Sequence, residues 1–161
     1  GQTITAKGYD DVEFLISTNP GESLKPLSQV ASGGELSRIM LAIKTVLAGR
    51  DEIDTLIFDE IDTGISGRTA WKVAEQLSVL SGAHQVICIT HLPQIAAMAD
   101  VHFVIEKSST DDMTITDIHK VSAEESLAEL ARLLGSDSLT EAALSNAKEM
   151  KEQAGMFKET R

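Results

Sequence analysis

Several features are scarce in this sequence, and each shortage excludes a class of protein. The chain has one cysteine in 161 residues, so it forms no internal disulfide, which suits a reducing cytosol. No apolar run approaches the roughly 18 residues of a membrane-spanning helix, and we expect no signal peptide at the start. The chain has only 14 basic residues and 25 acidic ones, which gives a formal net charge of −11. Duplex DNA binding depends on neutralising phosphates, so this charge argues against a main DNA-binding surface here. The sequence also contains no G-x-x-x-x-G-K-[ST] phosphate-binding loop.

What is present indicates a folded domain. Hydrophobic residues make up 42% of the chain, and this length is enough to bury a core, so we expect residues 1–161 to form a single domain. Cys88 lies in an apolar run, and with His84 it lacks the paired spacing of a metal site. We therefore expect a buried structural thiol.

Hydrophobic periodicity predicts the order of helices and strands. Strands are expected within 2–17, with a turn at 7–10, and a breaker-rich loop over 18–30. A helix with one apolar face begins near Gly33 and stops at Gly49. The remaining expected elements are a strand at 55–59, a helix at 66–81, a strand at 85–90, a short helix at 93–99, strands at 101–106 and 113–120 forming a hairpin, helices at 123–134 and 139–154, and a fraying tail beyond Gly155.

This order predicts an α/β fold. The apolar strand at 55–59 is expected to be buried on both faces, as in parallel sheets, and so is the one at 85–90. We expect a largely parallel sheet core flanked by helices, with an antiparallel strand pair at the N-terminal end.

The stretch at 31–38 reads Ala-Ser-Gly-Gly-Glu-Leu-Ser-Arg. Ser32 and Glu35 have capping-box spacing, which Ser122 and Ser138 repeat with later glutamates, so the box alone carries no functional information. Two glycines in a first helical turn cost about 1 kcal/mol each relative to alanine. Gly33 and Gly34 are explained if a group approaches the backbone closely, and a helix N-terminus favours an anion. A cap alone and a cap with phosphate contact both remain open.

Two acids follow the apolar strand at 55–58. Asp59 and Glu60 stand at its carboxyl end, where ligands gather in open α/β sheets. Asp59 is placed to hold Mg²⁺, and Glu60 to orient or deprotonate an attacking water. The alternative is a solvated acidic turn.

Two further polar residues complete the pattern. Asp62 lies in the loop that leads to the next helix. This segment is either a simple loop in which Ser66 caps that helix, or a loop that crosses between two ATP sites and is ordered by Asp62. His91 follows the strand at 85–90 and precedes Pro93, so it is either a helix-entry residue or a donor to a terminal phosphate. The other three histidines have no such context.

In this order, the three motifs resemble ABC-type ATPases, and the 31–38 stretch resembles their signature motif in the form of the SMC-like branch. Ala31 and Glu35 favour that branch over transporters. The stretches at 58–67 and 90–96 are closer still to its bacterial DNA double-strand-break repair member, and the resemblance covers roughly residues 9–135.

The resemblance implies that this chain is the C-terminal half of an ATPase head whose N-terminal half carries the Walker A loop. Two heads would sandwich two ATP molecules. Asp59 would hold Mg²⁺, Glu60 would be the catalytic base and His91 the switch. Ser32, Gly33, Gly34 and Glu35 would lie at the ATP bound by the partner head, and Asp62, a D-loop residue, would also belong to the ATP-binding residues. The full-length protein would bind DNA, mainly through parts other than this acidic segment. The protein would be located in the cytoplasm, associated with the nucleoid. Without Walker A, the isolated chain is expected to be inactive.

Two alternatives to a DNA-repair head stay open. One is the head of another SMC-like ATPase in chromosome organisation or recombination. The other is a non-catalytic interaction module that kept the fold, which the missing phosphate loop favours and the intact Asp59, Glu60 and His91 disfavour.

Overall fold

The structure is a computed structural model that describes residues 4, 6, 8–10, 12–17, 21–29, 32–47, 50, 52–110, 113–135 and 139–160. In these ranges we find three two-stranded sheets and five α-helices. The predicted α/β class is confirmed.

The N-terminal part contains a short antiparallel pair. Strand β1 (Leu15–Ile16) pairs with β2 (Lys25–Pro26), and a 3₁₀ helix follows at Leu27–Gln29. The predicted antiparallel pair is therefore present, but β2 comes from the segment 18–30 that was predicted to be a loop. Pro26 is compatible with this strand because proline is tolerated at sheet edges.

Helix α1 (Gly33–Leu47) begins where the sequence predicts, and its predicted stop at Gly49 lies outside the described residues. It packs against the next helix in the chain, with Gly34 and Leu41 as its buried residues. Most of the predicted apolar face is in contact with solvent, and Val46 is 83% exposed. The sequence pattern of an apolar face is present, but few residues of the described chain pack against this face of α1.

The central element is a parallel strand pair. β3 (Thr55–Phe58) and β4 (Gln85–Cys88) are joined by α2 (Gly67–Leu80), and Phe58 lies beside Cys88 in the register. Ile89 extends the pairing with an N–H that donates to the Phe58 carbonyl at 3.0 Å. Both strands therefore end at the same edge of the sheet.

The expectation that these strands are buried on both faces is wrong. Leu56 and Phe58 are buried in the core, but Ile57 is 68% exposed and Ile87 44% exposed on the opposite face. Alternate residues of a strand point to opposite faces, and helices of the described chain cover only one of them.

The C-terminal part is a short helix, a hairpin and two longer helices. These are α3 (Pro93–Met98), β5 (Phe103–Thr110) and β6 (Met113–Lys120), paired antiparallel as predicted, then α4 (Ala123–Leu133) and α5 (Glu141–Glu159). The predicted fraying beyond Gly155 is wrong, because Phe157 packs against the core and Lys158 pairs with Asp100. Helix α5 is capped by Thr140, whose hydroxyl accepts from Ala143 N–H at 3.2 Å. Ser138, the predicted cap, lies outside the described residues.

Two apolar clusters hold these elements together. The first joins α1, β3, α2 and α3 with the end of α5, and the second joins α3, α4 and α5. Trp71 of α2 packs against both clusters. Across the described ranges, none of the helices is long and apolar enough to cross a membrane.

Candidate functional site

The predicted site residues come from three segments. These are the first turn of α1, the loop that follows β3, and the loop that follows β4. Because β3 and β4 are parallel neighbours, their loops emerge at one edge, where α/β proteins place ligands.

The first turn of α1 is capped by Ser32. Its hydroxyl accepts from Glu35 N–H at 3.2 Å, and its carbonyl accepts from Leu36 N–H at 3.1 Å. At α4, by contrast, both halves of the capping box form, because Ser122 N–H also donates to the Glu125 carboxylate at 2.7 Å. The cap that the sequence predicts at Ser32 is thus present.

The glycine pair of α1 faces the acidic loop of the same chain. A Cβ atom on Gly34 would lie 2.8 Å from the Glu60 carbonyl oxygen and 3.0 Å from Thr63 Cβ. A Cβ on Gly33 would lie 2.5 Å from the Glu60 carboxylate. A close approach to this backbone is therefore real, and the approaching group is the chain's own Glu60. Contact of these glycines with a phosphate stays a prediction.

The two acids after β3 are exposed at the open edge of the sheet. Glu60 is in the left-handed region with φ of 56°, a conformation that costs a non-glycine residue about 1–2 kcal/mol. Its N–H donates to Asp59 Oδ1 at 2.8 Å. The turn therefore points Glu60 back toward α1 while Asp59 remains at the strand end.

Helix α1 braces this turn from the side. The Ser37 hydroxyl donates to the Asp59 carbonyl at 3.0 Å. The Arg38 guanidinium donates to the Ile61 and Thr63 carbonyls at 3.1 and 2.9 Å, and Ile61 is fully buried. These contacts fix the loop relative to the first turn of α1.

Asp62 is buried, at 4% exposure. Its Oδ2 accepts from the Thr90 hydroxyl at 2.7 Å and from His91 N–H at 2.8 Å. The same oxygen lies 2.9 Å from His91 Nδ1, although the His91 side chain is 72% exposed. One buried carboxylate therefore connects the loop after β3 with the loop after β4, which extends the predicted ordering role of Asp62 to a second segment.

Cys88 is partly buried beneath this edge. Burial first, and then the negative charges of Asp62 and Asp59, raise the pKa of its thiol to about 12. A thiol that stays protonated is a poor nucleophile and a poor metal ligand, which agrees with the predicted structural role.

The other three histidines lie away from this edge in separate settings. His84 is buried, with Nδ1 2.6 Å from the Ile53 carbonyl oxygen. His102 contacts the Ser126 hydroxyl at 2.9 Å, and burial and then Lys151 lower the pKa of His102. His119 is half-buried on β6.

The described part of the chain contains no group of three His, Cys, Asp or Glu side chains that is placed to hold a metal ion. Asp59 offers one exposed carboxylate at the strand end. A single carboxylate fits Mg²⁺, which keeps several waters and takes phosphate oxygens from a nucleotide, better than it fits Zn²⁺.

The structure thus groups the predicted residues in two linked sets. In the first set, the first turn of α1 lies against the loop that carries Asp59 and Glu60, and this turn contains Ser32, Gly33, Gly34 and Glu35. In the second set, Asp62 of the same loop accepts a hydrogen bond from His91 N–H. Sequence reasoning missed the bracing by Ser37 and Arg38 and the contact of Thr90. Arg38 had one usable signal, because it stands four residues after Gly34 and so shares its face of the helix.

No protein-family model matches the chain. Curated relatives do. The DNA repair protein RecN of Bacillus subtilis is 49% identical over 157 residues, which is 98% of this chain and 27% of that protein. RecN of Treponema pallidum is 54% identical over 89% of the chain and 25% of the relative, and RecN of Vibrio cholerae is 48% identical over 89% and 26%.

A solved structure from work on the ATP-driven dimerization and DNA-stimulated activation of SMC ATPases is more distant. It is 24% identical, with a TM-score of 0.49 over 77% of this chain and 81% of that one. The RecN matches cover nearly the whole chain, and the chain spans about a quarter of their length. Over this segment, the chain belongs to the RecN family.

Proposed function

We propose that this chain is part of the ATP-binding and ATP-hydrolysing head of a DNA double-strand-break repair protein. The observation that carries the proposal is the grouping of the α1 turn, the two acids and His91 at the carboxyl edge of β3 and β4. The near-complete match to proteins named for DNA repair supports it.

Each residue of this edge has a role in the proposal. Asp59 holds Mg²⁺, which supplies neutralisation of phosphate charge. Glu60 orients or deprotonates the attacking water. His91 donates a hydrogen bond to the terminal phosphate.

Another part of the same protein completes the site, since the chain spans about a quarter of its relatives and lacks the phosphate-binding loop. Two apolar surfaces that the described residues leave exposed support this step. One is the outer face of the parallel pair at Ile57 and Ile87, and the other is the α1 face around Val46. Parallel sheets are normally covered on both faces, so the first surface fits the segment that carries Walker A.

Two heads dimerise around ATP in this proposal, with the α1 turn of each head facing the nucleotide of its partner. The Glu60 carboxylate now lies against Gly33. Because like charges repel, we expect a phosphate that binds the first-turn amides to push that carboxylate aside. We propose that DNA contacts lie mainly outside this segment of net charge −11, and that the protein works in the cytoplasm at the nucleoid.

The test is Glu60→Gln in the full-length protein to which this chain belongs. Loss of a general base lowers rates by about 10²- to 10⁴-fold, so we expect ATP binding to persist, hydrolysis to fall by that range and ATP-dependent dimers to accumulate in size-exclusion chromatography.

Glu52→Gln is the matched control, because Glu52 is an exposed acid just before β3, at the opposite end of the strand. It should leave hydrolysis unchanged. Hydrolysis by Glu60→Gln at the rate of the unmodified protein would contradict the role of Glu60, and a full-length protein that binds no ATP would contradict the function.

A further inference from the structure

A cavity of about 480 Å³ lies between the segment 99–102, the start of α4 and the middle of α5. Among the described residues that line it, none belongs to the candidate site. Its volume is within the range of about 300–1,000 Å³ that is usual for small-ligand pockets. The cavity is therefore a second place in this chain where a ligand has room to bind.

Three lysines line this cavity, Lys120 at the end of β6 and both Lys148 and Lys151 in α5. None of the three makes an ion pair with any residue that the structure describes. The chain has 25 acidic residues and only 14 basic ones, so acidic partners are not scarce. Three unpaired lysines at one cavity are therefore not what this composition leads us to expect.

The acidic groups of the lining do not neutralise these lysines. Asp100 is already paired, because Lys158 Nζ donates to its Oδ1 at 2.5 Å. Glu152 is exposed and lies four residues after Lys148 in α5, without forming an ion pair with it. At the cavity, three unpaired lysines therefore face one unpaired carboxylate.

Lys151 is the least exposed of the three lysines. Burial first, and then the charge of Lys158, lower the pKa of Lys151, although Asp100 acts in the opposite direction. Lys148 is three residues away on the same side of α5, and like charges at this spacing repel. An anion in the cavity would offset both the burial of this charge and the repulsion.

The lining also limits the kind of anion. The described residues around the cavity include no Phe, Tyr, Trp or Arg, so they provide neither an aromatic surface for a nucleobase nor a guanidinium for a planar carboxylate. A lysine ammonium is a compact point charge and a common partner of phosphate. The cavity is therefore suited to a phosphate group and not to a base.

We propose that this cavity binds one phosphate group, held by Lys151 together with Lys148 and Lys120. The phosphate belongs either to a DNA backbone or to a small molecule, since both present the same charged group to the lysines. The proposal goes beyond the ATPase head and does not depend on it. A DNA phosphate here would add to the contacts proposed outside this segment.

The first experiment is an NMR titration of this chain with inorganic phosphate, at a constant ionic strength of about 0.15 M set with chloride. We expect the amide signals of residues 120–127 and 148–152 to shift and to saturate. Lys151→Gln should weaken binding about 10-fold because this lysine is half-buried. Lys148→Gln should weaken it about 2- to 5-fold because Lys148 is exposed.

Lys107→Gln is the matched control, because Lys107 is an exposed lysine of β5 that does not line the cavity. It removes the same charge from the chain and should leave the affinity for phosphate unchanged. Equal weakening by Lys107→Gln and by the α5 variants would overturn the proposal, because net charge alone would then explain the binding. If Lys151→Gln does not fold, Lys148→Gln at an exposed position decides between the same two outcomes.

The second experiment repeats the titration with a DNA duplex of about 12 base pairs, long enough to present several phosphates. Shifts of the same signals, weakened by Lys148→Gln and not by Lys107→Gln, would assign the phosphate to a DNA backbone. Shifts with inorganic phosphate alone would assign it to a small molecule. If neither probe shifts the signals of the lining, the cavity is not a phosphate site and the proposal is wrong.

Discussion

Helices α1 and α4 begin with the same serine–glutamate spacing but use it differently. At α4 the box is complete, with contacts of 2.7 and 3.2 Å between Ser122 and Glu125. At α1 the Ser32 hydroxyl caps Glu35 at 3.2 Å, and the next two residues are glycines that lie against Glu60. The start of α4 is stabilised by its own residues, whereas that of α1 is shaped by another loop.

This difference shows how a local motif acquires a second role. A capping box needs only the serine and the glutamate, so glycines between them signal a constraint from outside the helix. Here the constraint is the left-handed turn at Glu60, which brings a carbonyl and a carboxylate onto the first turn of α1.

The largest expected effect in this comparison is that of Gly34→Ala. The new methyl group would lie 2.8 Å from the Glu60 carbonyl oxygen and 3.0 Å from Thr63 Cβ, and overpacking against backbone costs about 1–3 kcal/mol. Urea denaturation should therefore show a lower free energy of unfolding.

Gly33→Ala and Gly155→Ala are its controls. At Gly33 the obstacle is the flexible end of the Glu60 side chain, and at Gly155 in α5 there is open space. We expect Gly33→Ala to change stability by less than Gly34→Ala does, and Gly155→Ala to raise it by up to about 1 kcal/mol. Equal losses at Gly33 and Gly34 would show that the close approach is not the reason for the glycines.

A smaller effect separates the two caps. Ser122→Ala removes the hydroxyl of a complete box and is expected to cost about 1–2 kcal/mol, whereas Ser32→Ala removes a single cap bond and is expected to cost about 0.5–1 kcal/mol. Thermal and urea unfolding of both variants measures the difference. A larger loss at Ser32 would mean that the α1 turn depends on its cap more than on Glu60 and Arg38.

The smallest effect is a pH dependence confined to α4. The Ser122 N–H, and then its hydroxyl contact, lower the pKa of Glu125 below its ordinary 4.5. A lowered folded-state pKa stabilises the protein above the unfolded-state pKa, and this contribution disappears as the pH falls through the folded-state value. Unfolding measured from pH 6 down to about pH 3 should therefore show a steeper loss of stability in the unmodified chain than in Glu125→Gln. Parallel pH curves would show that the box adds no pH dependence.

The sequence was sufficient for the order of the main elements because their signals are local. Hydrophobic periodicity and helix-breaking residues predicted α1, α2, the parallel pair and the β5–β6 hairpin to within a few residues. Two errors in the bounds of elements arose where distant contacts decide. Helix α5 continues past Gly155 because Phe157 has a core to pack against, and Lys25–Pro26 forms a strand because Leu15 and Ile16 lie beside it.

The candidate site divides in the same way. Residue type and motif order singled out Ser32 to Glu35, Asp59, Glu60, Asp62 and His91 as candidates, and the resemblance supplied their roles. The strand-end position of Asp59, Glu60 and His91 follows from parallel strands that end at one edge. Only the tertiary structure decided that Glu60 fills the space over Gly33, that Arg38 braces the loop and that Asp62 binds His91. Those contacts join residues that are 23 to 29 positions apart, and no local pattern specifies which atoms meet when separate loops pack at one edge.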